Sequence, residues 1–277
     1  MVVKRIFTNR NDEKYANILL EYINSHNIIH HYSIFIDFKK KLFWNTKKKN
    51  FYLGVAAHDI RTPMTSIFGY AELIQNTKNI TDEKKNNYSN NIIKACNNAL
   101  SLSNNILDFA RSESGEIKLV KTNIDYIDFV SEIIKINEII AKNKNISIKL
   151  EINEKNIKLF GDEILITQTI NNLISNAIKY SKLDSIIIIK IYTNDEKIVT
   201  EIIDTGVGIN PADIKKIMNP FVKGTNVPTG KEKSYGLGLA ISKKIIEMHY
   251  GSINIDSEVN AGTKVSFMLP MIWRRLS

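Results

Sequence analysis

Three groups of polar residues follow one another along this chain of 277 residues, and their chemistry suits the handling of a phosphoryl group. The first group is A-A-H-D-I-R-T-P-M, which contains His58, Asp59 and Thr62. A neutral imidazole is a competent nucleophile near pH 7, and a neighbouring carboxylate can fix its tautomer and accept its proton. The segment therefore predicts a reactive histidine, with an ordinary surface histidine as the alternative.

The second group places amide, lysine and tyrosine side chains along one face of a helix predicted over 162–180. Its members are Gln168, Asn172, Asn176, Lys179 and Tyr180. Amide groups on a helix that packs against a sheet need partners, and a triphosphate with Mg²⁺ would supply them. Mg²⁺ keeps several waters and takes few protein oxygens, so one asparagine can suffice as a ligand. A polar face that is simply exposed to solvent is the alternative interpretation.

Two glycine-rich segments form the third group, D-T-G-V-G-I at 204–209 and G-L-G-L at 236–239. Asp204 ends an apolar strand and can accept a hydrogen bond from an exocyclic amine such as adenine N6. Gly206 and Gly208 permit positive φ and a close approach of a ligand. G-L-G-L opens a helix whose free N–H groups favour phosphate, and it is not a Walker loop because no G-K-[ST] follows. The long polar segment between the two loops is interpreted as a mobile lid.

Two long helices over residues 45–113, joined by a turn near Asn79–Thr81, must carry the histidine. Apolar residues repeat at heptad spacing from Tyr88 to Phe109, and a similar stripe lies on the first helix. A lone hairpin cannot hide both stripes, so the pattern predicts a four-helix bundle formed by two chains. His58 lies two residues, or about 200° around the helix, from Ala56 in the stripe and is expected to point outward.

After Leu119 the pattern changes, and helices are predicted over 124–142, 162–180 and 238–249. Strands are predicted over 145–153, 185–192, 198–204, 252–257 and 263–269, so the segment is expected to form an α/β domain of about 150 residues. Residues 1–44 contain too few apolar residues for a core of their own. We interpret them as a lead-in or small docking element of uncertain fold. Residues 272–277 are interpreted as a short tail.

The composition narrows the class of protein. Hydrophobic residues make up 43% and charged residues 24% of the chain, and the net charge is +9. The single cysteine, Cys96, cannot form an intramolecular disulfide and argues against a thiol-ligated zinc site. No apolar run reaches the roughly 18 residues of a membrane span, and no signal peptide is recognised, so a cytoplasmic location is expected. Nucleic-acid binding is not expected, because no stacking platform or known motif accompanies the lysines.

Over roughly residues 45–271 the sequence resembles the bacterial two-component sensor histidine kinases. Their phospho-acceptor box, H-[ED]-x-[RK]-[TN]-P, matches H-D-I-R-T-P at each defined position, and their N-x-x-x-N-A-x-K-Y box matches 172–180. The resemblance implies a dimeric antiparallel helical hairpin over 45–115, followed by a Bergerat-type α/β sandwich over 119–271 that binds ATP and Mg²⁺. It also implies a homodimer and, as partner, the receiver domain of a response regulator.

The same resemblance implies a role for each matching residue. His58 would be phosphorylated with Asp59 as acid/base partner, and Thr62 would position water for dephosphorylating the regulator. Asn176 would bind Mg²⁺, Asn172 and Lys179 would approach the phosphates, and Tyr180 would lie against the base. The other nucleotide-binding positions that it implies are Asp204, Gly206, Gly208, Phe221, Lys223, Gly236, Leu237, Gly238 and Thr263.

Other functions stay open at this stage. A conformational ATPase with the same pocket, as in the gyrase, chaperone and mismatch-repair relatives, would hydrolyse ATP without labelling itself. A catalytically weak phosphotransfer or docking module is supported by Ser234–Tyr235, where the family usually has glycine and a small hydroxyl residue. The input signal, the identity of the regulator, the balance of kinase and phosphatase output, and transfer within or between subunits are also left open.

Overall fold

A computed structural model of the chain describes residues 52, 54–114, 117–226, 228–229 and 234–271. The predicted lead-in over 1–44 and the tail over 272–277 lie outside the described residues. The account below concerns the unit that begins at Ala56. Within the described ranges, no helix combines the length and the apolar character that crossing a membrane requires.

A long helical hairpin comes first. Helix α1 covers residues 54–76 without a break at Pro63, and helix α2 covers Asp82–Ser114. The connection contains Asn79 in the left-handed conformation, at a φ of 58°. The Thr81 hydroxyl accepts a hydrogen bond from the backbone N–H of Lys84 at 3.4 Å, and acidic residues occupy the first turn of α2. A capping side chain and early acidic residues both stabilise a helix start, so the predicted turn is found where expected.

The hairpin buries one apolar seam and exposes another. Ala56, Ala95 and Leu102 are buried, and the rings of Tyr70 and Tyr88 lie 5.7 Å apart between the helices. Six large apolar side chains of the hairpin are nevertheless exposed in the single chain. They are Met64, Phe68, Leu73, Ile93, Leu100 and Leu107. The last three recur every seventh residue on α2, a stripe that the sequence analysis did not include.

The second part of the unit is an α/β sandwich. Its elements are β1 Thr122–Asp125, α3 Tyr126–Ala141, β2 Ser147–Ile152, β3 Lys158–Gly161, α4 Glu163–Tyr180, β4 Ile186–Asn194, β5 Lys197–Asp204, the short α5 Pro211–Ile214, α6 Gly238–Met248, β6 Ser252–Glu258 and β7 Gly262–Pro270. The small antiparallel pair β1–β3 and helix α5 were not predicted from the sequence. The remaining strands and helices lie in the predicted segments.

The main sheet has the order β2-β4-β5-β7-β6, in which β2 and β4 are parallel and all other neighbours are antiparallel. Alternate residues of β4 are buried, namely Ile187, Ile189 and Ile191. They pack with α3 and α4 in one core that also includes Tyr126 and Phe267. The hydroxyl groups of Tyr126 and Thr200 are 2.7 Å apart, which satisfies both inside this core. The fold is therefore the predicted helical hairpin followed by an α/β sandwich.

Asp162, at the start of α4, joins three parts of the sandwich. Its carboxylate accepts hydrogen bonds from the N–H groups of Leu165 at 3.1 Å and Val120 at 2.8 Å. Its own N–H donates to Nε2 of His249 at 3.0 Å, and Nδ1 of that ring lies 2.8 Å from the carbonyl oxygen of Ile245. Burial lowers the pKa of His249, which favours its neutral form. His249 is thus a structural residue that holds α4 and α6 together.

Candidate active site

The side chain of His58 points outward from α1. It is 74% exposed, whereas Ala56, two residues earlier, is buried, as the helical periodicity predicted. The Nδ1 atom lies 3.3 Å from Oδ1 of Asp59. With its proton on Nδ1, the ring donates to that carboxylate, and Nε2 keeps the lone pair on an exposed imidazole. Thr62 is exposed one turn further along the same face.

Asp59 connects this histidine to the sandwich. Its side chain is only 13% exposed, and its second oxygen, Oδ2, accepts a hydrogen bond from Nζ of Lys223 at 2.9 Å. Lys223 comes from the segment between α5 and α6 and also lies 6.0 Å from the centre of the Tyr235 ring. The contact brings one lysine of the sandwich directly to the carboxylate beside the outward-facing histidine.

A cavity of about 280 Å³ opens beside Lys223, near the lower end of the volumes of small-molecule sites. Most of the residues predicted to bind a nucleotide line it. They are Asn172, Asn176, Lys179, Tyr180, Asp204, Gly208, Lys223, Gly236, Gly238 and Thr263. Segments separated by up to about ninety residues in the chain therefore meet around one cavity, as the order of the sequence boxes suggested.

Gly206, Phe221 and Leu237 do not line the cavity but shape its walls. A Cβ on Gly206 would lie 2.3 Å from the carbonyl oxygen of Tyr180, so the backbone itself requires glycine there. The predicted positive φ of this loop is found at Gly208, at 68°, and not at Gly206. The Phe221 ring packs edge-on against Phe109 of α2 at 5.9 Å, and Leu237 is buried.

One end of the cavity carries a buried carboxyl group on an apolar wall. Asp204 is 7% exposed, and its Oδ1 accepts hydrogen bonds from the N–H groups of Gly206 at 2.8 Å and Thr263 at 3.3 Å. Burial raises the pKa of Asp204 to about 6, although these two hydrogen bonds oppose the shift. Ile202, Ile255 and Val265 also line the cavity. A flat heteroaromatic ring with an exocyclic N–H donor would satisfy both the carboxyl and the apolar wall.

The other end of the cavity is built from amides and a helix N-terminus. The Nδ2 atom of Asn172 is buried and has no hydrogen-bond partner among the residues that the structure describes. Gly238 begins α6 close by, since a Cβ there would lie 3.5 Å from Oδ1 of Asn172. An anion would pair with this donor and with the helix N-terminus. The residues therefore fit a polyphosphate.

The same end can also take a hard cation with few protein ligands. Asn176 supplies an amide oxygen at the cavity wall. In the described part of the chain, no cluster of three or more His, Cys, Asp or Glu side chains could hold a metal by itself. Mg²⁺ bound mainly by phosphate oxygens and water agrees with that donor set, whereas an all-protein cation site does not.

One wall of the cavity was missed by the sequence analysis. Asn98, Ser101 and Asn105 of α2 line it together with the sandwich residues. Gln168, interpreted from the sequence as part of the polar pocket face, instead donates to Oδ2 of Asp108 on α2 at 2.7 Å. Nothing local marks these α2 residues, because their role depends on which face of the hairpin packs against the sandwich.

The segment between α5 and α6 is fixed at several described points. Thr225 donates from both its N–H, at 3.0 Å, and its hydroxyl, at 2.8 Å, to Oδ2 of Asp213, and these bonds lower the pKa of that carboxyl. The Thr229 hydroxyl donates to the carbonyl oxygen of Lys179 at the end of α4, at 3.0 Å. Residues 227 and 230–233 lie outside the described part, and lid motion stays a prediction.

Two family models match this chain, one over the segment with the histidine motif and one over the segment with the asparagine and glycine motifs. Residues 48–115 match the His Kinase A (phospho-acceptor) domain, and residues 161–272 match the histidine kinase-, DNA gyrase B-, and HSP90-like ATPase domain. The autoinducer 2 sensor kinase/phosphatase LuxQ of Vibrio harveyi is 29% identical over 233 residues, which is 79% of this chain and 26% of that protein. The chain thus spans about a quarter of the length of the first curated relatives that it matches.

Two solved structures have a similar fold over most of this chain. Full-length ShkA in complex with AMPPNP is 25% identical, with a TM-score of 0.60 over 80% of this chain and 45% of that one. The histidine kinase ThkA, solved in complex with the response regulator protein TrrA, is 21% identical, with a TM-score of 0.67 over 90% of this chain and 68% of that one. At this identity the second likeness concerns the fold alone.

Proposed function

Because the chain belongs to the two-component sensor histidine kinases, we propose that it transfers the γ-phosphoryl group of ATP to the imidazole of His58. The observation that carries this proposal is the position of Lys223. It lines the cavity and lies 2.9 Å from the carboxylate of Asp59, whose other oxygen is 3.3 Å from the His58 ring. The cavity and the nucleophile are therefore joined through the ion pair of Lys223 and Asp59.

Asp59 prepares the imidazole for attack. By accepting the Nδ1 hydrogen, it leaves the lone pair on Nε2, which forms the new bond to phosphorus while the bond to the leaving oxygen of ADP breaks. The imidazole becomes positively charged as this bond forms, and the adjacent carboxylate stabilises the charge before the proton leaves. Because the ring is exposed on α1, a nucleotide can approach it without unfolding the hairpin.

The cavity residues hold the nucleotide in this proposal. Asp204 accepts from the adenine amine and Tyr180 lies against the base, whereas Asn172 and Lys179 contact the phosphates. Asn176 would be the protein ligand of Mg²⁺, which would neutralise charge on the phosphate oxygens when bound. Lys223 adds a positive charge beside the acceptor. Catalysis in such transfers rests mainly on positioning and charge neutralisation, and these residues would supply both.

The receiving partner in this proposal is an aspartate on the receiver domain of a response regulator, to which phosphohistidine passes its phosphoryl group. The solved complex of ThkA with a response regulator provides a precedent in the same fold. Thr62, exposed one turn after His58, would position a water that hydrolyses the phosphoaspartate of the regulator and releases inorganic phosphate. Because the proposed reaction consumes ATP, we propose the cytoplasm as its compartment.

Labelling with ATP that carries ³²P in the γ-position separates this function from its rivals. The purified chain is expected to retain label as an adduct that is stable to alkali and lost in acid, the behaviour of a phosphoramidate. Steady release of inorganic phosphate without labelled protein would instead indicate a conformational ATPase. Absence of nucleotide binding by calorimetry would indicate a docking module with an inactive pocket.

We also propose that the hairpin forms a four-helix bundle with a second copy of the chain. The exposed stripe of Ile93, Leu100 and Leu107 on α2 supports this, since it continues an apolar pattern that a lone hairpin leaves uncovered. The heptad spacing of the stripe matches the seam of an intermolecular bundle.

A charge placed in that stripe is expected to separate the subunits. Leu100→Glu would put a carboxylate on each side of the seam, so the dimer dissociation constant should rise at least about 100-fold. Leu100 is 62% exposed in the single chain, so the fold of the monomer should be spared. Light scattering after gel filtration measures the mass, with Ile164→Glu, on an exposed isoleucine of α4, as the matched control. Ile164→Glu should remain dimeric. If Leu100→Glu is also dimeric, this stripe is not the seam.

A further inference from the structure

Helix α2 of the hairpin forms part of the cavity that the sandwich provides. Asn98, Ser101 and Asn105 occur at spacings of three and four, so their side chains share one face of the helix. All three line the cavity together with Asn172 and Asn176 of α4. Amide and hydroxyl groups on such a wall offer hydrogen-bond donors to whatever fills the cavity.

Several contacts hold this face of α2 against the sandwich. The Tyr235 hydroxyl donates to the backbone carbonyl of Asn98 at 3.3 Å. Further along α2, Asp108 accepts from Gln168 at 2.7 Å, and the Phe109 ring meets the Phe221 ring edge-on. The cavity-lining residues lie between these contacts, so the wall is fixed at both of its ends.

The same contacts show which end of the cavity α2 faces. Tyr235 directly precedes Gly236, whose carbonyl oxygen accepts from the N–H of Phe221 at 2.8 Å, and Gly238 then begins α6. Two side chains touch α2 here. Tyr235 is adjacent to the glycine loop in the chain, and Phe221 is hydrogen-bonded to that loop. Asp204 lies at the other end, because its partner Gly206 packs against the carbonyl of Tyr180, which ends α4 about two turns after Asn172. The α2 wall therefore borders the end suited to phosphate.

We propose that Asn98, Ser101 and Asn105 donate hydrogen bonds to the polyphosphate of the bound nucleotide, so that the hairpin is itself part of the nucleotide site. This inference rests on the proposed function, since it takes ATP as the ligand. Hydrogen bonds to charged phosphate oxygens are stronger than neutral ones. Binding and packing are then linked: nucleotide stabilises the arrangement in which α2 contacts the sandwich, and that arrangement tightens nucleotide binding by the same factor.

Exposed asparagines earlier on α2 provide a matched test. Asn98 and Asn105 line the cavity, whereas Asn87 and Asn90 are exposed, lie at least two turns before Asn98, and belong neither to the cavity nor to the exposed apolar stripe of α2. The double variant Asn98→Ala/Asn105→Ala is compared with Asn87→Ala/Asn90→Ala in the full chain. Both pairs lose two amides from the same helix. The Tyr235 contact uses the backbone of Asn98 and survives the substitution.

Calorimetry with AMPPNP and Mg²⁺ gives the decisive measurement. The dissociation constant is expected to rise at least about 10-fold for the cavity-facing pair and to change less than about two-fold for the exposed pair. The unfolding midpoint without nucleotide should be equal in the two variants, whereas the nucleotide-induced increase in that midpoint should shrink only for the cavity-facing pair. A purely structural role would lower the nucleotide-free midpoint and would not separate the two pairs in this way.

An isosteric variant keeps the test valid if an alanine pair folds poorly. Asn105→Asp replaces a donor with a carboxylate at the phosphate wall and should weaken the binding of AMPPNP more than Asn90→Asp does. Equal affinities across these matched variants would overturn the inference while leaving the proposed function intact, provided that the wild-type chain binds nucleotide and becomes labelled. If the wild-type chain does neither, the proposed function fails first, and the two failures are distinguished.

Discussion

Protein carrying His58→Gln is expected to take up no label from γ-³²P ATP, while the wild-type chain forms its acid-labile adduct. Glutamine can occupy the same exposed position on α1, but its amide nitrogen has no available lone pair to attack phosphorus. Since the His58 side chain is 74% exposed, the substitution should change the free energy of unfolding by no more than about 0.5 kcal/mol. Loss of labelling with an unchanged melting midpoint therefore assigns the chemistry to this ring.

Glu72→Gln provides the control for this experiment, because Glu72 is exposed on the same helix and lies four turns from the histidine. It should label at the wild-type rate. Calorimetry should give the same nucleotide affinity for both variants, since His58 is outside the cavity lining. Label retained by His58→Gln at the wild-type level would mean that another group accepts the phosphoryl group.

Asp59→Asn is expected to slow labelling by about 10²–10⁴-fold while leaving nucleotide affinity almost unchanged. The asparagine can still contact Nδ1 of His58, but it cannot stabilise the positive charge of the imidazole or take its proton. It also removes the charge that Lys223 contacts at 2.9 Å. A rate equal to wild type would show that this carboxylate only fixes the ring orientation, which the amide oxygen could also do.

Local patterns were sufficient to predict most of the elements. The heptad repeat from Tyr88 to Phe109 predicted α2, and the apolar runs at 185–192 and 198–204 predicted two strands that the structure contains. The outward direction of His58 followed from its rotation relative to Ala56, since helical periodicity fixes which residues share a face. Residues that act within one element are thus accessible to sequence reasoning.

Features that depend on two distant segments were not predicted. The β1–β3 pair consists of two four-residue strands whose pairing, Thr122 with Gly161, is not encoded in either strand alone. The α2 wall of the cavity likewise needs the sandwich to pack on one particular face of the hairpin. Tyr235, which departs from the family pattern, illustrates the same limit: its ring spans from the glycine loop to the Asn98 carbonyl. A sequence pattern shows the departure but not the contact that uses it.

Asp204→Asn is expected to weaken the binding of AMPPNP and Mg²⁺ by about 100-fold at pH 7.5. In the wild-type chain the carboxylate can accept from the adenine amine, whereas the asparagine can present its own NH₂ group to that donor. Calorimetry measures the change. Asp256→Asn is the control, because that carboxylate is exposed on β6 and should leave the affinity unchanged.

The same variant should weaken nucleotide binding without lowering the stability of the protein, because burial disfavours the charged form of Asp204. Its pKa of about 6 exceeds the usual 3.8, so the folded state binds more protons than the unfolded state between these values. Stability of the nucleotide-free protein must then fall as pH rises from about 4 to 6, by about 2–3 kcal/mol in total, and level off above that. Asparagine carries no charge, and its Oδ1 can still accept from Gly206 and Thr263, so Asp204→Asn should melt no lower than wild type at pH 7.5. A lower midpoint combined with intact AMPPNP affinity would instead make Asp204 an anchor of its loop rather than an acceptor for the base.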